Sequence, residues 1–130
     1  LEVQYQLSKY NIFGTGMSNG GDLSYMLACN ASDRFQAVAP VAGTMMTHLF
    51  LNCQPEQPMS VFEIHGTDDD VVPYNRALEI EGEYKKTGAP YIMYSLDKKG
   101  HGPWGYAEKG LGLGDLALRF IVKKQALEVY

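Results

Sequence analysis

The strongest constraint on this chain is its alternation of short apolar runs with helical stretches, each run closing on glycine or a polar turn. Residues 10–13 read as a strand ending at Gly14 and Gly16, and residues 37–42 as a buried strand. Residues 60–64, closed by His65-Gly66, and residues 91–96 make two more. Between them, residues 19–31 place Leu23, Met26, Leu27 and Asn30 at helical spacing. Residues 75–87 are helical in composition and stop at Gly88, a suitable C-terminal cap. Asp115 caps a last helix reaching Gln125, with Leu116, Phe120 and Ile121 facing inward. Strand–helix repeats of this length predict an α/β fold of about four parallel strands flanked by helices. In such a sheet the reactive groups collect beyond the carboxyl ends of the strands.

The rest of the sequence is consistent with one unit. The 130 residues suit a single domain over 1–130, without repeats or low-complexity tracts. Hydrophobic residues make up 45% and charged residues 20%, an ordinary globular balance that argues against disorder. A net charge of −4 without a basic patch argues against a nucleic-acid partner or an anionic membrane surface. The longest apolar runs fall far below the ~20 residues of a membrane span. The chain starts on Leu1 rather than Met and within an apparent element, which implies a segment upstream. Cys29 and Cys53 lack the spacing of zinc or redox motifs and are either two buried thiols or one disulfide.

Chemistry-bearing residues follow three of the strands. After the first comes Thr15-Gly16-Met17-Ser18-Asn19-Gly20-Gly21, a GxSxG sequence between a strand and a helix. That is the setting of a nucleophile elbow. The sharp turn strains the serine backbone, and Gly16 and Gly20 remove side chains that would collide across it. Ser18 then projects above the sheet, and the Asn19 N–H becomes an oxyanion donor. Taken alone, the motif also fits a glycine-rich turn with a serine cap. After the third strand comes His65-Gly66-Thr67-Asp68-Asp69-Asp70-Val71-Val72-Pro73. Of its three acids, Asp69 stands four residues before Pro73 and is preferred as the orienting carboxylate. Asp68 and Asp70 read as solvated or capping, and His65 as shaping the loop by hydrogen bonding. The acidic run lacks the alternating ligands of a calcium loop, so no metal is expected.

After the fourth strand comes Lys98-Lys99-Gly100-His101-Gly102-Pro103-Trp104. A histidine in a glycine-flanked loop can reach back over the sheet. Ser18, Asp69 and His101 thus occur in the order Ser…Asp…His, each just past a strand. His48 lies in a loop ahead of the acid site and fits worse. Met17, Tyr74 and Trp104 lie near this site and line a substrate pocket or pack the core. The glycines of residues 110–114 have the wrong spacing for a dinucleotide loop.

These residues carry a family resemblance. The GxSxG run, Leu27-Ala28-Cys29, Arg34-Phe35, Ala39-Pro40-Val41-Ala42-Gly43, Cys53, His65-Gly66-Thr67 and Val71-Val72-Pro73-Tyr74 resemble the polyhydroxybutyrate depolymerase and feruloyl esterase family of α/β-hydrolases. The close match runs from Tyr10 to Tyr74 and a weaker one continues past His101. The resemblance implies a secreted or periplasmic serine esterase without cofactor. Its substrates would be small-molecule or polysaccharide-linked esters of the feruloyl, acetyl or hydroxyalkanoate type. It implies Ser18 as nucleophile, Asp69 as acid, His101 as base and a Cys29–Cys53 disulfide. The chain would correspond to the carboxy-terminal half of the fold. The amino-terminal strands and the second oxyanion donor would be missing, and the first strand would be left as an open edge for that half or for a second copy. A shared triad does not name the bond cleaved, so peptide or thioester hydrolysis stands as the alternative chemistry. A non-catalytic fragment needing its amino-terminal half is the alternative of another class.

Overall fold

In a computed structural model of the protein, the described residues are 12–45, 52–102, 107–108, 111–112 and 119–120. Strand β1 (Phe13–Met17) leads into helix α1 (Asn19–Asn30), followed by β2 (Ala37–Val41) and β3 (Ser60–Gly66). Helix α2 (Tyr74–Lys85) and strand β4 (Tyr91–Leu96) come next, then the two-residue strands β5 (Ala107–Glu108) and β6 (Leu111–Gly112). β1 to β4 form one parallel sheet in the order β1-β2-β3-β4, while β5 and β6 pair antiparallel with each other. The four parallel strands and the helices between them agree with the pattern read from the sequence.

Two boundaries and one face differ from the sequence reading. β1 does not stop at its glycines. It pairs with β2 from Phe13↔Ala37 to Met17↔Val41, passing through Gly14 and Gly16, so the strand delivers Ser18 directly from its end. α2 begins one residue earlier, at Tyr74, with Pro73 as its N-cap. In α1 the buried stripe is Gly21, Ser24, Tyr25, Ala28 and Cys29, whereas Leu23 is 58% exposed. Apart from Tyr25 the stripe is made of small residues, and at its start the helix backbone lies close to the turn after β2. A Cβ on Gly21 would stand 2.7 Å from the Gly43 Cα. Close approach, not apolar periodicity, selects the inner face. Of the expected last helix, only Arg119 and Phe120 are described. Both are helical, and the Phe120 ring stacks on Phe62 at 4.9 Å.

The core has two layers. On one face of the sheet Tyr25, Ala28, Val38, Met59, Val61, Ile80, Tyr84 and Tyr91 cluster under α1 and α2. On the other, Ala39, Phe62, Ile64 and Leu96 meet Phe120. Every residue of β3 is buried, as a strand covered on both faces requires. Two of its residues are nevertheless ionisable, Glu63 and His65, and alternation puts both on the α1–α2 face with Val61. Cys29, on α1, is disulfide-bonded to Cys53, with a Cα–Cα distance of 5.0 Å. Among the described residues, no helix is long and apolar enough to cross a membrane.

Candidate active site

Ser18 stands between β1 and α1 with φ 54° and ψ −115°. A positive φ is costly for a residue with a Cβ and marks a position held by its surroundings. Here the Ser18 N–H donates to the Val41 carbonyl at 2.8 Å, and the Ser18 carbonyl accepts the Asp22 N–H at 3.0 Å. A Cβ on Gly16 would lie 2.4 Å from the Gly20 carbonyl oxygen, so a side chain at 16 is excluded by the helix start itself. Gly20 plays a different part from the one expected of it. A Cβ there would meet nothing within 4 Å, so it is the Gly20 backbone, not the lack of a side chain, that crowds the turn. Asn19 opens α1, and its N–H is among the first four that no helical carbonyl can accept.

The acid and the histidine reach this serine from two neighbouring loops. Asp69 is 6% exposed, in contrast to Asp68 and Asp70, which face solvent. Its Oδ1 accepts the N–H groups of Val71 at 3.0 Å and Val72 at 2.8 Å. Its Oδ2 lies 2.9 Å from His101 Nδ1, and His101 Nε2 lies 3.0 Å from Ser18 Oγ. The carboxylate can only accept, so Nδ1 carries the proton and Nε2 presents its lone pair to the serine hydroxyl. Burial works to raise the Asp69 carboxyl, but the hydrogen bonds from His101, Val72 and Val71 outweigh it and hold the group below the ordinary range.

The two loops are stitched together at Gly66, the last residue of β3. The Asp68 N–H donates to the Lys99 carbonyl at 2.9 Å, and the Lys98 N–H donates to Thr67 Oγ1 at 2.8 Å. This crossing runs so close that a Cβ on Gly66 would stand 2.2 Å from the Lys99 oxygen. Gly66 thereby lets the His101 loop lie across the Asp69 loop.

Other expected site residues fall in different places. Met17 is 41% exposed beside Ser18. Tyr74 is half-buried, with its hydroxyl 2.6 Å from Ser95 Oγ and its ring 5.9 Å from the His65 ring. It is tied to the framework of the acid loop. Trp104 and His48 lie outside the described residues. Among the described residues, no group of three or more His, Cys, Asp or Glu side chains could hold a metal ion.

Behind Asp69 is a buried polar group, of which the sequence points only to His65, as shaping the loop. His65 Nε2 is 2.8 Å from the Val72 carbonyl and 3.4 Å from Asp69 Oδ2, and His65 Nδ1 is 2.8 Å from Glu63 Oε1. Glu63 Oε1 also accepts the Gly43 N–H at 3.3 Å, and Oε2 accepts the Tyr25 hydroxyl at 3.0 Å. Tyr25 spends its one proton on Glu63, so the Tyr91 hydroxyl donates to the Tyr25 oxygen. Burial pushes the Glu63 carboxyl up to about 7 against the pull of His65, Tyr25 and Gly43. Burial lowers His65, but Glu63, the Val72 carbonyl and Asp69 outweigh it, leaving the imidazole raised. The signal available in the sequence was a glutamate inside an otherwise apolar strand.

Known structures share this arrangement of strands. The chain superposes on the Bacillus cereus carboxylesterase with a TM-score of 0.74 at 19% identity, over 95% of this chain and 54% of that one. On esterase PE8 the TM-score is 0.72 at 21% identity, over 92% and 54%. The fold is that of the α/β-hydrolases. At about half the length of these structures, the chain carries part of that hydrolase fold. No family profile matches it. Among curated proteins, the probable feruloyl esterase C of Aspergillus clavatus is 38% identical over 76 residues, 58% of this chain and 26% of that protein. The bifunctional acetylxylan esterase/xylanase XynS20E of Neocallimastix patriciarum is 25% identical across 92% of this chain and 19% of its own length. The chain spans less than a third of the curated relatives it matches.

Proposed function

We propose that this α/β-hydrolase chain carries the catalytic residues of a serine esterase acting on feruloyl or acetyl esters. One observation carries the reading: Ser18, His101 and Asp69 are joined in series at 3.0 and 2.9 Å, with the serine on a strained elbow. His101 Nε2 takes the Ser18 proton as Oγ attacks the ester carbonyl. Asp69 holds the imidazole in the tautomer this transfer needs and stabilises the imidazolium. The Asn19 N–H stabilises the tetrahedral oxyanion, together with a donor from outside the described residues. His101 then protonates the leaving alcohol, and water repeats the sequence on the acyl-enzyme to release the acid. Met17, exposed beside the nucleophile, lines the acyl site. The names of the curated relatives favour feruloyl and acetyl esters over hydroxyalkanoates. The disulfide suits a secreted protein, since such bonds persist in oxidising compartments.

The test is treatment of the protein, as its cell makes it, with a fluorophosphonate, followed by peptide mass mapping. A single adduct on Ser18, lost in Ser18→Ala along with hydrolysis of 4-nitrophenyl acetate and methyl ferulate, is the expected result. An unlabelled Ser18 in the folded wild-type protein would overturn the reading.

A further inference from the structure

Glu63 is the anomaly of the core. It is fully buried at the centre of a strand whose neighbours Phe62 and Ile64 are packed and apolar. Burying a carboxyl costs free energy, and well-packed apolar replacements of buried ion pairs are often as stable or more so. Stability alone therefore gives little reason for the group. Its contacts give another. Val72 donates its N–H to Asp69 Oδ1, and the carbonyl of the same Val72 accepts from His65 Nε2. A carbonyl can only accept, so His65 Nε2 carries a proton, and that fixes Nδ1 as the atom facing Glu63. Glu63 is held in turn by the Gly43 N–H and the Tyr25 hydroxyl. An unbroken line of hydrogen bonds thus runs from Tyr25 on α1 through Glu63, His65 and Val72 to the carboxylate that orients His101.

We infer that Glu63 and His65 form a positioning pair, which fixes the turn presenting Asp69 and so sets the alignment of His101 with Ser18. The inference rests on the esterase reading of the triad. Neither residue touches the reacting atoms, and each acts through Val72 and Asp69. The proton shared between Glu63 and His65 keeps the pair neutral as a whole while leaving the Nε2–H pointed at the turn. Both groups hold a proton more tightly than usual, Glu63 through burial and His65, despite its burial, through its bonds to Glu63 and the Val72 carbonyl, as a proton held between them requires.

The experiment compares His65→Leu, His65→Gln and Glu63→Gln with wild type, in the protein as its cell makes it. It reads kcat and KM on 4-nitrophenyl acetate, fluorophosphonate labelling of Ser18, and the urea midpoint. Leu at 65 removes the donor to Val72, whereas Gln restores an N–H at that end of the side chain. The expected result for His65→Leu is a 10- to 100-fold fall in kcat and in labelling rate, the size that small misalignments produce. KM should stay within about twofold, because substrate contacts are untouched. His65→Gln should recover most of the lost kcat. Glu63→Gln, nearly isosteric, should fold and lose kcat less than His65→Leu. The inference is overturned if wild type is active and all three variants keep wild-type kcat. It is also overturned if His65→Gln falls as far as His65→Leu, or if kcat falls only in proportion to folded protein. A wild-type protein inert to both ester and phosphonate overturns the triad reading itself, a result separable from the others.

Discussion

Substituting Gly66 by alanine tests how closely the site depends on the crossing of two loops. Gly66 does not have a left-handed φ, so alanine suffers there from contact and not from backbone conformation. The added Cβ would lie 2.2 Å from the Lys99 oxygen, 2.6 Å from the Gly100 oxygen and 2.8 Å from the Lys99 carbonyl carbon. All three are backbone atoms, which cannot rotate away. Ordinary contact begins near 3.4 Å, so the segment leading to His101 must retreat by about 1 Å. Hydrogen bonds of 2.9 and 3.0 Å on either side of the imidazole cannot both survive that movement. A misplacement of this size costs on the order of 100-fold in rate, about 3 kcal/mol of barrier. The strained Asp68-to-Lys99 hydrogen bond would cost about 1 kcal/mol of stability. The assay is kcat on 4-nitrophenyl acetate beside a urea melt, with Gly82→Ala as control. A Cβ at Gly82, in α2, meets nothing within 4 Å, so kcat should hold and stability should rise by about 0.5–1 kcal/mol. A folded Gly66→Ala protein with kcat within threefold of wild type would refute the reasoning.

Three further outcomes follow from the same geometry. Asp69→Asn should lower kcat by about 10⁴-fold through loss of the required tautomer, while Asp68→Asn and Asp70→Asn, both exposed, stay within twofold; steady-state kinetics on the three variants checks this. Glu63, raised from 4.5 to about 7, and His65, raised from 6.5, both favour the folded state at low pH and lose that contribution as pH rises through their folded values. The urea midpoint should therefore fall from pH 5 to pH 8, and less so in Glu63→Gln; a midpoint rising over that range refutes it. Asp69, held below 3.8, contributes only above its folded value and is lost under strong acid. Replacing both Cys29 and Cys53 by alanine should lower unfolding free energy by about 3 kcal/mol for a separation of 24 residues, measured by denaturant titration with Ser18 labelling retained in native buffer.

Much of this protein is written locally. The period-two and period-3.6 patterns need only neighbouring residues, so three strands and two helices could be read within two residues, while β1 runs four residues past its expected end. Ser18, Asp69 and His101 were legible because each follows a strand, and the carboxyl ends of parallel strands must converge. The sequence also singled out Asp69 from its two neighbours by its distance from Pro73. What only the tertiary structure decided depends on approach between distant segments. The inner face of α1 is chosen by the close passage of Gly21 against Gly43, which hydropathy cannot register because glycine has no side chain to score. The role of Gly66 exists only because the Lys99 carbonyl crosses it from a loop 33 residues away in sequence. Glu63 sits in an otherwise apolar strand, with no role legible in the sequence. Its meaning comes from His65 two residues along the same strand, and from Tyr25 and Gly43, which α1 and the turn after β2 bring to it in a buried layer where a hydrogen bond has few substitutes.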